Sequence, residues 1–197
     1  MFKRIAISLT LVASFAQPAL AQSFALDTAR IEQVTGMKGT YNPVENVYKI
    51  SKPRPEMNVR VDGWKISPFM GTGSWAAFTS GGAKQAMVMG DNVLFEDEVG
   101  PTMSAALENG LEVTALHNHF FFEQPKIYFM HIGGMGETAN LAAAVKKVLD
   151  TPDRIRSAQA TPATRFPSKP VPAENHITGA PPWSASEKEK QTAACSR

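Results

Sequence analysis

From Val47 to Ile132 the chain is cut into short stretches by turn signals, and none is long enough for more than a strand or a modest helix. Val47 to Ser51 is predicted as a strand closed by Lys52-Pro53-Arg54-Pro55. Val59-Arg60-Val61 alternates, and Asp62-Gly63 predicts a hairpin turn before Trp64 to Ser67. Ser74 to Thr79 and Ala86 to Phe95 are predicted strands, with Gly81-Gly82 as the turn between them.

Helical patterns flank and interrupt these strands. Leu26 to Thr35 carries Leu26, Ala29, Ile31 and Val34 as an apolar set, and Gly36 ends it. Asp97 to Asn109 reads as a helix with Pro101 in its first turn, stopped by Gly110. Leu111 to Glu123 is the clearest strand, followed by Lys126 to Ile132. Gly133-Gly134-Met135-Gly136 is expected to be a flexible loop. Thr138 to Leu149 is then a helix, with Lys146 and Lys147 near the end where the helix dipole favours cations. This order predicts an α+β fold: a mostly antiparallel sheet with two or three helices packed on one face.

The two ends of the chain differ from this middle. Lys3 and Arg4, the apolar run Ile5 to Ala16, Pro18 and Ala19-Leu20-Ala21 have the layout of a secretory signal peptide, with cleavage expected after Ala21. The run is far short of the ~20 residues a membrane span needs, so no transmembrane segment is expected. Residue 22 is Gln, which offers no lipid acceptor. Residues 151–197 hold seven prolines and few large apolar residues, so a disordered tail is expected there. The domain limits are therefore 1–21 for the leader, 22–150 for the folded unit and 151–197 for the tail. The expected location is the periplasm or the medium.

Charge and cysteine count exclude several classes. The formal net charge of +2 comes from Lys3 and Arg4, so the processed chain is neutral. It lacks the basic footprint of a nucleic-acid partner. Cys195 is the only cysteine, so neither an internal disulfide nor a cysteine-based metal site can form.

Three of the four histidines, His117, His119 and His131, lie within 15 residues. On a continuous strand His117, His119 and Glu123 would share one face, with Phe121 between them. Imidazole and carboxylate suit a divalent transition metal: zinc, copper, nickel, iron or manganese. Register decides where His131 points. A three-residue loop, Gln124 to Lys126, would pair His131 with His119 and bring all three to one face. A two-residue loop would pair it with Asn118 and send it to the other. The convergent register is predicted, with His117, His119 and His131 as ligands.

Glu123 and Asp91 are the candidate catalytic groups, as fourth ligand or general base. The plainer reading of Asp91-Asn92 is a turn pair, and that of Glu96 to Glu98 is acid favoured at a helix start. His-x-His-x3-Glu also matches part of the first cupin metal motif, but the flanking glycines are misplaced and the second motif is absent. The letters His-Asn-His do not make the nuclease motif of that name, which is spread over a ββα unit. Gly71-Thr72-Gly73-Ser74 is read as a tight strand entry and not a phosphate loop.

The strings LDTARIEQVTG, GTGSWAAF, MVMGDNVLFEDEV, LENGLEVTALHNHFF and PKIYFMHIGGMG resemble the LppY/LpqO-like family of bacterial exported proteins over roughly residues 26–150. The resemblance implies export and these domain limits, and no established activity. Its characteristic histidines correspond to His117, His119 and His131. Family members often carry two related units. Ala173-Glu174-Asn175-His176 through Pro181 resembles the start of a second, which implies truncation or a homodimer replacing the missing half. Two functions stay open. One is a metal-binding protein or metalloenzyme of unnamed substrate. The other is a metal-free module for a small ligand or an envelope component.

Overall fold

The computed structural model describes residues 25–82 and 85–164. The expected leader and residues 165–197, with His176 and Cys195, lie outside them. Helix α1 spans Thr28–Thr35, α2 Glu96–Glu108 and α3 Thr138–Ala158. Strands β1 (Gly39–Asn42), β2 (Val47–Pro53), β5 (Gly73–Gly82), β6 (Gln85–Phe95), β7 (Glu112–His117) and β9 (Ile127–Gly136) form one antiparallel sheet, in the order β1-β2-β5-β6-β9-β7. Strands β3 (Arg60–Val61), β4 (Trp64–Lys65) and β8 (Glu123–Gln124) form a second, in the order β4-β3-β8. This is the α+β class that the sequence pattern predicts.

Side-chain alternation sorts the large sheet into two faces. Ile50, Ala76 and Ile132 occupy one row across it and point to the same side. Together with Phe78, Val88 and Met130 they pack against Ile31 of α1, Ala106 of α2 and the apolar stripe Leu141, Val145, Val148 and Leu149 of α3. All three helices therefore cover one face. The opposite face is buried only at one end. There Val93, Phe95, Ile127 and Phe129 pack with Met57, Val59 and Ile66 from the segment that carries the small sheet.

Local signals explain most element ends. Asp27 caps α1, its carboxylate accepting from the Arg30 backbone N–H at 2.9 Å, and Gly36 closes it at φ 72°. Asp62 and Gly63 both have positive φ, the requirement of the turn that joins β3 to β4. Glu98 caps α2 by accepting from Phe95 N–H at 2.9 Å.

Three expectations are corrected. The glycine-rich run 133–136 continues β9 and pairs with β6, and at Gly134 the packing leaves little room for a side chain. A Cβ on Gly134 would lie 3.0 Å from Leu111 Cδ2 and 3.4 Å from Leu141 Cδ2. The helix expected to stop at Leu149 runs to Ala158, so the folded unit does not end at 150 and the tail does not begin at 151. Thr151 and Pro152 are buried, and Arg156 reaches back to Asp97 and to Glu98 (Nε–Oε1 3.0 Å). That anchor outweighs the helix-breaking tendency of Pro152. Third, the strand expected over 111–123 ends at His117, and Glu123 belongs to the other sheet.

Candidate functional site

The histidines converge by a route different from the predicted hairpin. His131 stands opposite Asp91 on β6 and Ala115 on β7, and His117 stands opposite Phe129. Directly opposed residues share a face. Asp91, His131 and His117 therefore all point away from the helices.

An irregularity in β7 makes this possible. The pairing shifts between Val113 and Ala115, leaving Thr114 as an extra residue. Without it His117 would stand opposite Tyr128 and point toward the helices. The bulge re-aims the imidazole by one pleat, a recurrent use of bulges beside functional sites. Neither the bulge nor its consequence was legible from the residue types.

The ring nitrogens meet closely. His117 Nε2 lies 3.1 Å from His131 Nε2, so one ring donates and the other accepts. His131 Nε2 is 3.8 Å from Asp91 Oδ1, and that oxygen is buried without a hydrogen-bond partner. Burial pushes the Asp91 carboxyl above its ordinary range, while His131, His119 and His117 pull it the other way.

His119 is held differently. It sits in the loop after β7, its ring stacked on Phe129 with centroids 3.5 Å apart and planes 9° from parallel. Its centroid is 5.1 Å from that of His117. Desolvation, then the neighbouring His117, lowers its pKa below the usual histidine value. Gly71 lies against this stack: a Cβ there would come 3.0 Å from Phe129 Cε1 and 3.5 Å from His119 Nδ1. The sequence marks Gly71 only as part of a strand entry and does not single out Phe129, because only the fold brings them here.

Glu123 departs from its expected place. It is buried beneath the loop, where Oε1 accepts from Asn118 Nδ2 (3.3 Å) and pairs with Lys126 Nζ (3.2 Å). Asn118 also donates to the Ile127 carbonyl at 2.6 Å. Glu123 thus fastens the loop that carries His119 and does not share a strand face with His117 and His119. Among the described residues, no group of three or more His, Cys, Asp or Glu side chains stands arranged to hold a metal ion. A cavity of about 410 Å³ opens beside the histidines, lined by His117, Asn118, His119, Phe120, Phe121 and Lys126.

The acidic cluster at the start of α2 is structural. Glu98 is fully buried and receives Arg54 twice, Nη2 to Oε1 at 2.9 Å and Nη1 to Oε2 at 3.1 Å.

A family model described as a domain of unknown function (DUF1259) matches residues 29–151, more than half of the chain. The chain belongs to this family. No curated protein and no solved structure matches it. The matched span takes in all three histidines and Asp91. Membership in the DUF1259 family brings no activity with it, so the function must be argued from the site. Among the described residues no helix is long and apolar enough to cross a membrane.

Proposed function

We propose that this chain is an exported protein that binds one divalent transition metal through His117, His131 and Asp91, with His119 as the further ligand. The observation that carries the reading is the 3.1 Å approach of two imidazole nitrogens next to a buried, unpartnered carboxylate oxygen. Two nitrogens bound to one zinc at about 2.0–2.1 Å each sit roughly 3.3 Å apart when the geometry is tetrahedral. The histidine pair is near that spacing. A cation between them would give Asp91 Oδ1 the partner it lacks and offset the cost of its burial. Rotation of His119 off Phe129 would bring in the further nitrogen.

The donor set of imidazole and carboxylate suits zinc, copper, nickel, iron or manganese. A coordination position left open toward the cavity would hold water, and a divalent ion makes such water a nucleophile near neutral pH. Glu123 is not assigned a catalytic role in this proposal. Export rests on the leader-like first 21 residues. The finer likeness to LppY/LpqO-like proteins rests on the quoted strings.

A second reading is favoured by the His119–Phe129 stack. There the histidines form a metal-free wall of the cavity and bind a small ligand or envelope component directly. Elemental analysis of the processed chain separates the two. The metal reading expects about one transition-metal ion per chain, lost in the His117→Ala, His131→Ala double variant. A metal-free protein whose melting temperature ignores added zinc, copper, nickel and manganese supports the second reading.

A further inference from the structure

The small sheet presents a surface that neither reading of the histidine site explains. Trp64 is 80% exposed, Phe69 88%, Phe121 89% and Phe122 75%. They belong to three separate segments: the β3–β4 hairpin, the short 3₁₀ turn Pro68–Met70, and the loop between β7 and β8. The register brings the first and the last of these together. Val61 stands between Trp64 on one side and Glu123 on the other, so the hairpin turn and Phe121-Phe122 leave the same end of the small sheet. Phe69 stands apart from them, because β4 runs away from the hairpin turn before the chain reaches Pro68–Met70.

Three large rings kept mostly in water at one end of a sheet are costly, and large exposed apolar patches mark interaction sites. Their placement indicates the partner. Trp64 follows directly on a hairpin turn and Phe121 and Phe122 sit in a loop, each ring mostly in solvent. A stable protein interface needs a close-packed core of about 800 Å² on each partner, which these solvated rings fit poorly. A lipid interface is deformable and takes protruding indole and phenyl rings at the headgroup level.

The exposed charges of the same small sheet favour an anionic surface. Arg60 and Lys65 are exposed cations with no carboxylate partner among the described residues, against one exposed acid, Asp62. Long basic side chains can lie along such a surface with their charge at the headgroups.

We propose that the end of the small sheet carrying Trp64, Phe121 and Phe122 docks on an anionic lipid bilayer. Phe121 also lines the cavity next to His117 and His119, so docking turns the mouth of the site toward the headgroups. The proposal does not rest on metal binding, and the two fail separately.

The test is co-sedimentation of the processed chain, recovered after export of the full-length protein. Vesicles of phosphatidylcholine alone are compared with vesicles containing about one-third phosphatidylglycerol. The expected result is binding to the anionic vesicles. Trp64→Ala, Phe121→Ala, Phe122→Ala together should weaken it by about tenfold or more. Arg60→Glu with Lys65→Glu should weaken it at low salt, with the difference closing at high salt. The three rings are exposed, so the triple variant should keep its melting temperature. If it does not fold, Trp64→Phe alone serves: quenching by brominated lipid, present in the parent, should fall. A protein that stays in the supernatant with both vesicle types, or a triple variant that binds as well as the parent, overturns the proposal. Retention of the protein by a soluble partner with no vesicle binding also overturns it.

Discussion

The two faces of the large sheet are built on different terms. Under the helices the rows are mostly apolar, with Ser74 and Asn92 buried among them and bonded to backbone, and α1, α2 and α3 seal them into one core. The other face is covered at one end by a small second core and elsewhere carries a carboxylate with one buried oxygen lacking a hydrogen bond, a close histidine pair and an exposed loop. The first face removes apolar surface from water, which is where stability comes from. The second holds groups whose placement costs stability, as groups placed for chemistry commonly do. The difference teaches where to look for function in a family that has none assigned.

Substitutions on the two faces should differ in size and in sign. The largest loss belongs to the helix face. Phe78 is fully buried there, and Phe78→Ala should cost about 4 kcal/mol in denaturant unfolding while leaving metal uptake intact in the folded fraction. Next is the buried ion network that ties Pro-rich residues 53–55 to α2 and to the end of α3. Glu98→Gln leaves Arg54 and Arg156 facing a neutral group in a buried position, and should cost about 3 kcal/mol, read from the same unfolding curves.

The smallest effect, of opposite sign, is expected on the other face. Burial raises the Asp91 pKa in the folded chain, so its ionised form destabilises the fold above the unfolded carboxyl's pKa. That cost fades as pH falls through the raised value. Asp91→Asn should therefore stabilise the metal-free protein at neutral pH, by less than about 1 kcal/mol. The gain should shrink on acidification in melting experiments across pH. A loss of stability in Asp91→Asn would remove Asp91 from the group of functionally placed residues.

The helix face and the simple turns were largely legible in the sequence. Apolar periodicity, the Asp62-Gly63 turn and the Gly36 stop each act locally, and local physics fixed them. The failures are non-local. Nothing near Gly134 tells that Leu111 packs within 3.0 Å of where a Cβ would sit, and nothing near Pro152 tells that Arg156 is held by Glu98 58 residues earlier. The site was half legible. The cluster of His117, His119 and His131 marked the region, and the shared face of His117 and His131 was anticipated. The pairing behind it was not, because it depends on the Thr114 bulge in the middle of β7. Asp91 was a weak candidate in the sequence, and its pairing with His131 raises it. Glu123 was a stronger one, and its burial against Asn118 and Lys126 lowers it.

A crystal of the protein grown with manganese or zinc, measured at the metal's absorption edge, tests the site most directly. One anomalous peak should lie within about 2.0–2.2 Å of His117 Nε2, His131 Nε2 and an Asp91 carboxylate oxygen. A metal-soaked crystal with no peak there, or with the 3.1 Å histidine contact unchanged and the ion elsewhere, would contradict a metal site on this face.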